Sequence, residues 1–135
     1  MAAIIRNGYP VVHSAIVNED TGLAGGEFVA YTPSTGKVAK KASGYDEYTY
    51  VTINVEHDPN KVGDDATAVV PKGGYIKMVH CNPGDELTVT GLTASCGDTV
   101  RDHFVVVGTG LLHGLAAHHL RCIKSDAAAA ADDNA

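Results

Sequence analysis

The sequence predicts an all-β protein, a compact small β-barrel or sandwich built from hairpins, with room for a short helical turn near the C-terminus. Short runs rich in β-branched residues recur along the chain, and clusters of Gly, Pro, Asn and Asp punctuate them. Glycine is frequent, 15 of 135 residues, while aromatics are few and Trp is absent. That balance implies many turns around a thin core. A chain of this length fits one domain and can bury roughly two thirds of the surface its unfolded form exposes. The pattern divides it into an N-terminal arm at residues 1–8, one β-rich domain at 9–124, and an Ala- and Asp-rich flexible tail at 125–135.

The elements follow in order. The run YPVVHSAIV from Tyr9 is a strand, closed by the polar turn NEDTG at residues 18–22. Residues 27–32 and 37–41 alternate in polarity across Pro33-Ser34-Thr35-Gly36, where Pro presets a turn and Gly accepts positive φ. This is the clearest hairpin. After a loop at 42–47, YTYVTINV at 48–55 mixes aromatic and β-branched residues with Thr and Asn, the composition of a half-buried strand. The loop at 56–65 is polar and broken by Pro59 and Gly63. Residues 73–81 form a strand, 82–85 (Asn-Pro-Gly-Asp) a turn and 86–90 another strand; 96–98 turn, 100–107 is an apolar strand, Gly108-Thr109-Gly110 turns again, and 111–123 continues in one or two strands. Within that last part LAAHHLRC is read as strand, with a helical turn as the alternative because Leu115, His119 and Cys122 would share a helix face. Three segments, starting at Gly26, Gly84 and Gly97, place a Gly and an acid before an apolar strand residue, and are read as turn chemistry with the acid solvated at the strand mouth.

Charge narrows the function. Sixteen acidic against ten basic residues give a net charge of −6, and the longest basic block is the pair Lys40-Lys41. Such a surface repels phosphate, so direct nucleic-acid binding is not expected. No apolar run reaches the ~20 residues of a membrane span, and MAAIIRNGYP lacks the apolar segment of a secretory leader, so a soluble, cytoplasmically made protein is expected. Cys81, Cys96 and Cys122, odd in number and without CxxC spacing, are expected to be reduced thiols.

Candidate chemistry fails on spacing. His113, His118, His119 and Cys122 supply ligand types within ten residues, yet on a strand His118 and His119 point to opposite faces. The acids Glu56, Asp58, Asp64 and Asp65 lack the alternation of a calcium loop. Ser14, Ser34, Ser43 and Ser95 stand outside any GxSxG context, and Gly73-Gly74 lacks the Lys-Ser/Thr and helix of a phosphate loop. The reading is therefore of a protein that is not an enzyme and needs no cofactor or metal.

What remains distinctive is an ordered set of short motifs. Gly26-Glu27-Phe28-Val29 leads to Gly36-Lys37-Val38; Val55-Glu56-His57-Asp58 follows, then Asn60 to Gly63 with Asp64-Asp65-Ala66, then an apolar strand and Asn82-Pro83-Gly84-Asp85-Glu86-Leu87. Over residues 26–114 this resembles the tailed-bacteriophage capsid decoration, or cement, proteins. Thr67 stands where an aromatic often follows in them, and the run 69–81 is longer and more basic than their pattern. The resemblance implies a virion protein assembled in the host cytoplasm. It would bind the outer surface of the expanded capsid, commonly as a homotrimer, and bridge neighbouring major capsid protein subunits. The expected contact residues are Glu56, His57, Asp58, Asp64, Asp65, Lys72, Tyr75 and Met78, with residues 1–10 as a second contact, because an unpaired arm can extend a neighbour's sheet. Two alternatives are a particle-displayed module that binds host surface or glycan through exposed Tyr45, Tyr48 and Tyr50, and a small metal-dependent enzyme using His113, His118, His119 or Cys122.

Overall fold

The computed structural model describes residues 3–53, 69–92, 99–112 and 115–124. Among them the chain is all-β, with strands β1 (Ala3–Asn7), β2 (Val11–Val17), β3 (Leu23–Ala24), β4 (Phe28–Thr32), β5 (Lys37–Lys40), β6 (Thr49–Thr52), β7 (Val69–Val70), β8 (Tyr75–His80), β9 (Glu86–Thr90), β10 (Thr99–Val100), β11 (Phe104–Leu112) and β12 (Leu115–Cys122). Strands β2-β5-β4-β6-β8 close a small barrel, β1-β9-β12-β11-β10 form a five-stranded sheet, and β3-β7 make a short two-stranded ribbon. The predicted fold class holds, and Leu115–Cys122 is strand rather than helical turn.

Period-two alternation explains how one chain fills two cores. In β6 all four residues are buried, and its side chains alternate between the two layers. Tyr50 joins Ala15, Val17, Val29, Val38, Ile76 and Met78 inside the barrel. Val51, with Phe28 and Val79 from the same wall, instead packs on Ala3, Leu87, Val89, Phe104, Leu120 and Cys122 of the sheet. Each such apolar side chain removed from water contributes about 1.5–3 kcal/mol before conformational entropy is subtracted. The barrel is thus held shut from inside and clamped to the sheet from outside.

The hairpin predicted at Pro33–Gly36 forms, with Thr32 paired to Lys37 and the Gly36 amide bonded to the Thr32 carbonyl at 2.9 Å. Three expectations change. Residues 100–107 are not one strand: the chain reverses at Arg101 and Asp102, both at positive φ (52° and 59°), and Val100 pairs with Phe104 across the turn. Arg101 sustains this unusual backbone because its guanidinium donates to the Gly44 and Lys41 carbonyls at 3.0 and 2.7 Å and lies 4.2 Å over the Phe28 ring.

Gly108-Thr109-Gly110, expected to be a turn, runs through the middle of β11. The glycines are there for space. A Cβ on Gly110 would stand 2.9 Å from His119 Nε2, and the His119 ring, bonded to Thr88 at 2.9 Å, lies across both glycines. The third change concerns the acids after Gly26 and Gly84, which are structural rather than solvated. Glu27 accepts from the Ala24 amide at 2.7 Å, and buried Asp85 accepts from the Asn82 and Tyr9 amides at 2.9 and 3.2 Å. The segment starting at Gly97 lies outside the described residues.

Asp85 also ties in the N-terminus. Residues 3–7 of the predicted arm are edge strand β1, paired with β9, and Gly8 then passes so close to Asp85 that a Cβ would fall 2.2 Å from its Oδ1. Beside it, Glu86 is buried beneath Arg6 and Arg121 and bonded to both, at 3.2 Å for Arg121. Burial works to raise the Glu86 pKa. The hydrogen bond and charge of Arg121, then those of Arg6, outweigh burial and hold the carboxyl below its ordinary range.

Candidate functional site

The first half of β2 is an open surface, and its openness follows from pairing. One edge of β2 is bonded along its length to β8, from Val11 opposite His80 to Ile16 opposite Tyr75. The other edge meets β5 only at Ile16–Lys37 and Val17–Val38, in parallel register. Strand β5 cannot reach further back, because the residues before Lys37 are the hairpin turn. Ile16 and Asn18 donate their amides towards that side, to the Gly36 and Val38 carbonyls at 2.9 and 2.8 Å, while Val17 donates to Gly74 on the other. By the same alternation the main-chain groups of Val12 and Ser14 face the β5 side, where no described residue pairs with them.

The side chains around this edge are uncovered. Residues 11–14 are all exposed, Val11 at 47 % and Val12 at 50 %, and Tyr9 just before them is 97 % exposed. On the outer face Tyr75, 71 % exposed, stands beside Ile16 and Lys37 across three strands, and Lys77 stands beside Ser14. Neither Lys37 nor Lys77 has an ion-pair partner among the described residues, in a chain of net charge −6. On the inner side His13 caps the barrel mouth, its ring centroid 5.4 Å from Tyr50 and 6.3 Å from Tyr31.

The predicted contact residues divide. Tyr75 is exposed beside the β2 edge, as a contact residue would be. Lys72 is exposed but paired with Asp20 at 2.9 Å, and that ammonium holds the Asp20 carboxyl below its usual range. Met78 is no anchor. It is completely buried in the barrel, because alternation along β8 sends Ile76 and Met78 inward while Tyr75 and Lys77 point out. Glu56, His57, Asp58, Asp64 and Asp65 lie outside the described residues. So do Asp98, Cys96 and His113.

No known protein family, curated protein or solved structure matches this chain. Its function must be read from the surfaces themselves.

The tyrosines offered for glycan stacking are mostly inside. Tyr50 is in the barrel core, and Tyr45 is buried between barrel and sheet, its ring stacked on His80 at 5.4 Å and its hydroxyl accepting the Cys81 amide at 3.2 Å. Burial pushes the hydroxyls of both above their ordinary range. Tyr48 alone of the three is exposed. As for the histidines, His118 pairs with Val89 and His119 with Thr88, neighbours of opposite orientation on β9, so the two side chains project from opposite faces of the sheet. Cys81 and Cys122 are buried free thiols in one core, and burial pushes Cys122 up to about 11.

Sequence reasoning missed the β2 edge. The run VVHS carried the one available signal, two consecutive valines followed by two polar residues, which leaves no face fully apolar. What exposes the edge is the point where β5 begins alongside β2, a non-local fact.

Proposed function

We propose that this chain is a structural protein of a tailed-phage virion, which binds the outer surface of the expanded icosahedral capsid and stabilises it by bridging neighbouring major capsid protein subunits. The chain resembles the decoration proteins over residues 26–114. The observation that carries the reading is the uncovered β2 edge with Tyr9, Val11, Val12 and Tyr75 around it, mounted on a closed barrel. Aromatic and apolar groups on a convex, rigid wall suit contact with another protein, and the pre-formed wall limits the ordering cost of binding.

In this role the protein works without bond-making. Each copy, as a homotrimer on the shell, links several subunits, so that contacts too weak alone act together and the linked assembly dissociates far less readily. Nucleic acid and membrane play no part in it.

Sedimentation of the purified protein with expanded, undecorated heads tests the proposal. Stoichiometric uptake, together with greater resistance of the heads to heat or chelator, is the expected outcome. Heads that sediment bare at saturating protein would refute it.

A further inference from the structure

We infer that the open edge of β2 accepts an extended, carboxylate-bearing strand from a different protein, which continues the barrel wall where β5 leaves off. The backbone supplies the first half of the case. Val12 and Ser14 present two N–H and two C=O groups to the β5 side, exposed and unpaired among the described residues. A strand laid there would sit about 4.8 Å from β2, collinear with β5, and would stop against the Gly36 carbonyl already bonded to Ile16. Exposed edges of this kind are templates for strand addition, and proteins that must keep them free of partners blunt them with proline, bulges or charge on the edge strand itself. Residues 11–14 carry no charged side chain and no proline.

Charge supplies the second half and selects the occupant. Lys37 begins the strand with which the guest would align, and Lys77 lies beside Ser14 on the same outer face. Because Ser14 is small, the lysine stem can cross it towards a guest about 10 Å from β8, two strand spacings away. Both cations are unpaired among the described residues, although the chain has acids in excess. A guest strand whose outward positions bear Glu or Asp would neutralise them, and its alternate positions would lie beside Val11 and His13. A second copy of β2 is a poorer guest, since its own edge residues 11–14 offer no carboxylate to the lysines. The inference concerns the same β2 edge as the capsid proposal but fails separately from it, because uptake of a peptide is measured without heads and uptake of the protein by heads is measured without peptide.

The test uses the full chain and two capped synthetic peptides, one alternating Glu with Val and the other Lys with Val, with amide exchange read residue by residue. The Glu/Val peptide should slow exchange at Val12 and Ser14 by about tenfold at saturation, with the Lys/Val peptide far weaker. Ser14→Pro removes a donor that faces no ladder partner, so it should keep the fold and abolish this protection. Should that variant fail to fold, Lys37→Glu combined with Lys77→Glu provides the second arm by reversing the peptide preference. No protection by the Glu/Val peptide, or equal protection by both peptides, would overturn the inference. Protection that grows with protein concentration in the absence of peptide would overturn it too, by showing that copies of the chain pair with each other.

Discussion

Strands β9 and β2 make opposite use of the same local chemistry. β9 lies between β1 and β12, is bonded on both edges and is buried at all five residues; β2 is bonded along one edge and uncovered at its first four. Both are short, β-branched and preceded by a turn or loop. Position in the sheet, not composition, makes one a keystone and the other a surface. The largest effect that follows is on stability. Leu87→Ala should cost about 2–5 kcal/mol, because Leu87 is completely buried between sheet and barrel. Val12→Ala should change stability by under about 0.5 kcal/mol, since half of Val12 is already in water. Urea unfolding of the two variants reads the contrast, and equal midpoints would erase it.

A smaller effect tests the packing that supports β9 from the outer face of the sheet. Thr88 is buried there and bonded to the His119 ring, which lies across the bare Gly108 and Gly110 of the facing strand. Gly110→Ala should therefore destabilise by about 1–3 kcal/mol through overpacking. The cost should shrink when His119→Ala is combined with it, since the clash is then gone. A double-mutant cycle with no coupling between the two positions would assign the Gly110 cost to backbone conformation instead.

These two strands also mark how far the sequence could be read. The class, the hairpin at residues 33–36 and the strand at Leu115–Cys122 were legible because each rests on local signals, alternation and turn residues. Gly108-Thr109-Gly110 was misread for the same reason. Local signals equate a Gly pair with a turn, whereas the ring that needs the space comes from the next strand. Arg101 and Asp102 hide a reversal that no Gly or Pro announces, because the support comes from the carbonyls of Lys41 and Gly44, nearly sixty residues earlier. Of the expected contact residues, Tyr75 and Met78 rest on residue type, and alternation along β8 separates them, leaving Tyr75 exposed and Met78 buried. Met78 was misjudged because its type suits a core as well as an interface. The β2 edge was invisible, since an edge exists only once pairing partners are known.

The finest distinction between the strands is electrostatic. β9 carries its charge at Glu86, on the same outer face as Thr88 and beneath Arg6 and Arg121, whereas β2 carries none and borrows Lys77 and Lys37 from its neighbours. Glu86 has its folded pKa depressed below the ordinary 4.5, so its contribution to stability is fully present above that value and is lost as pH falls through the folded one. Asp46, which burial pushes up but Lys41 and the Tyr48 and Thr49 donors pull down further, titrates in the same sense. Stability should therefore hold through neutral pH and decline once the medium falls below about pH 4.5. Glu86→Gln should flatten the part of that decline owed to β9, leaving the shares of Asp46 and of exposed Asp20. The neutral variant should also be less stable than the parent at pH 7, where the paired arginines lose their carboxylate, and the difference should close in acid. Thermal midpoints of both proteins from pH 7 to pH 3 measure this. Parallel curves would mean that the Glu86 cluster adds nothing to folding that a neutral amide does not, and that β9 is held by its apolar face alone.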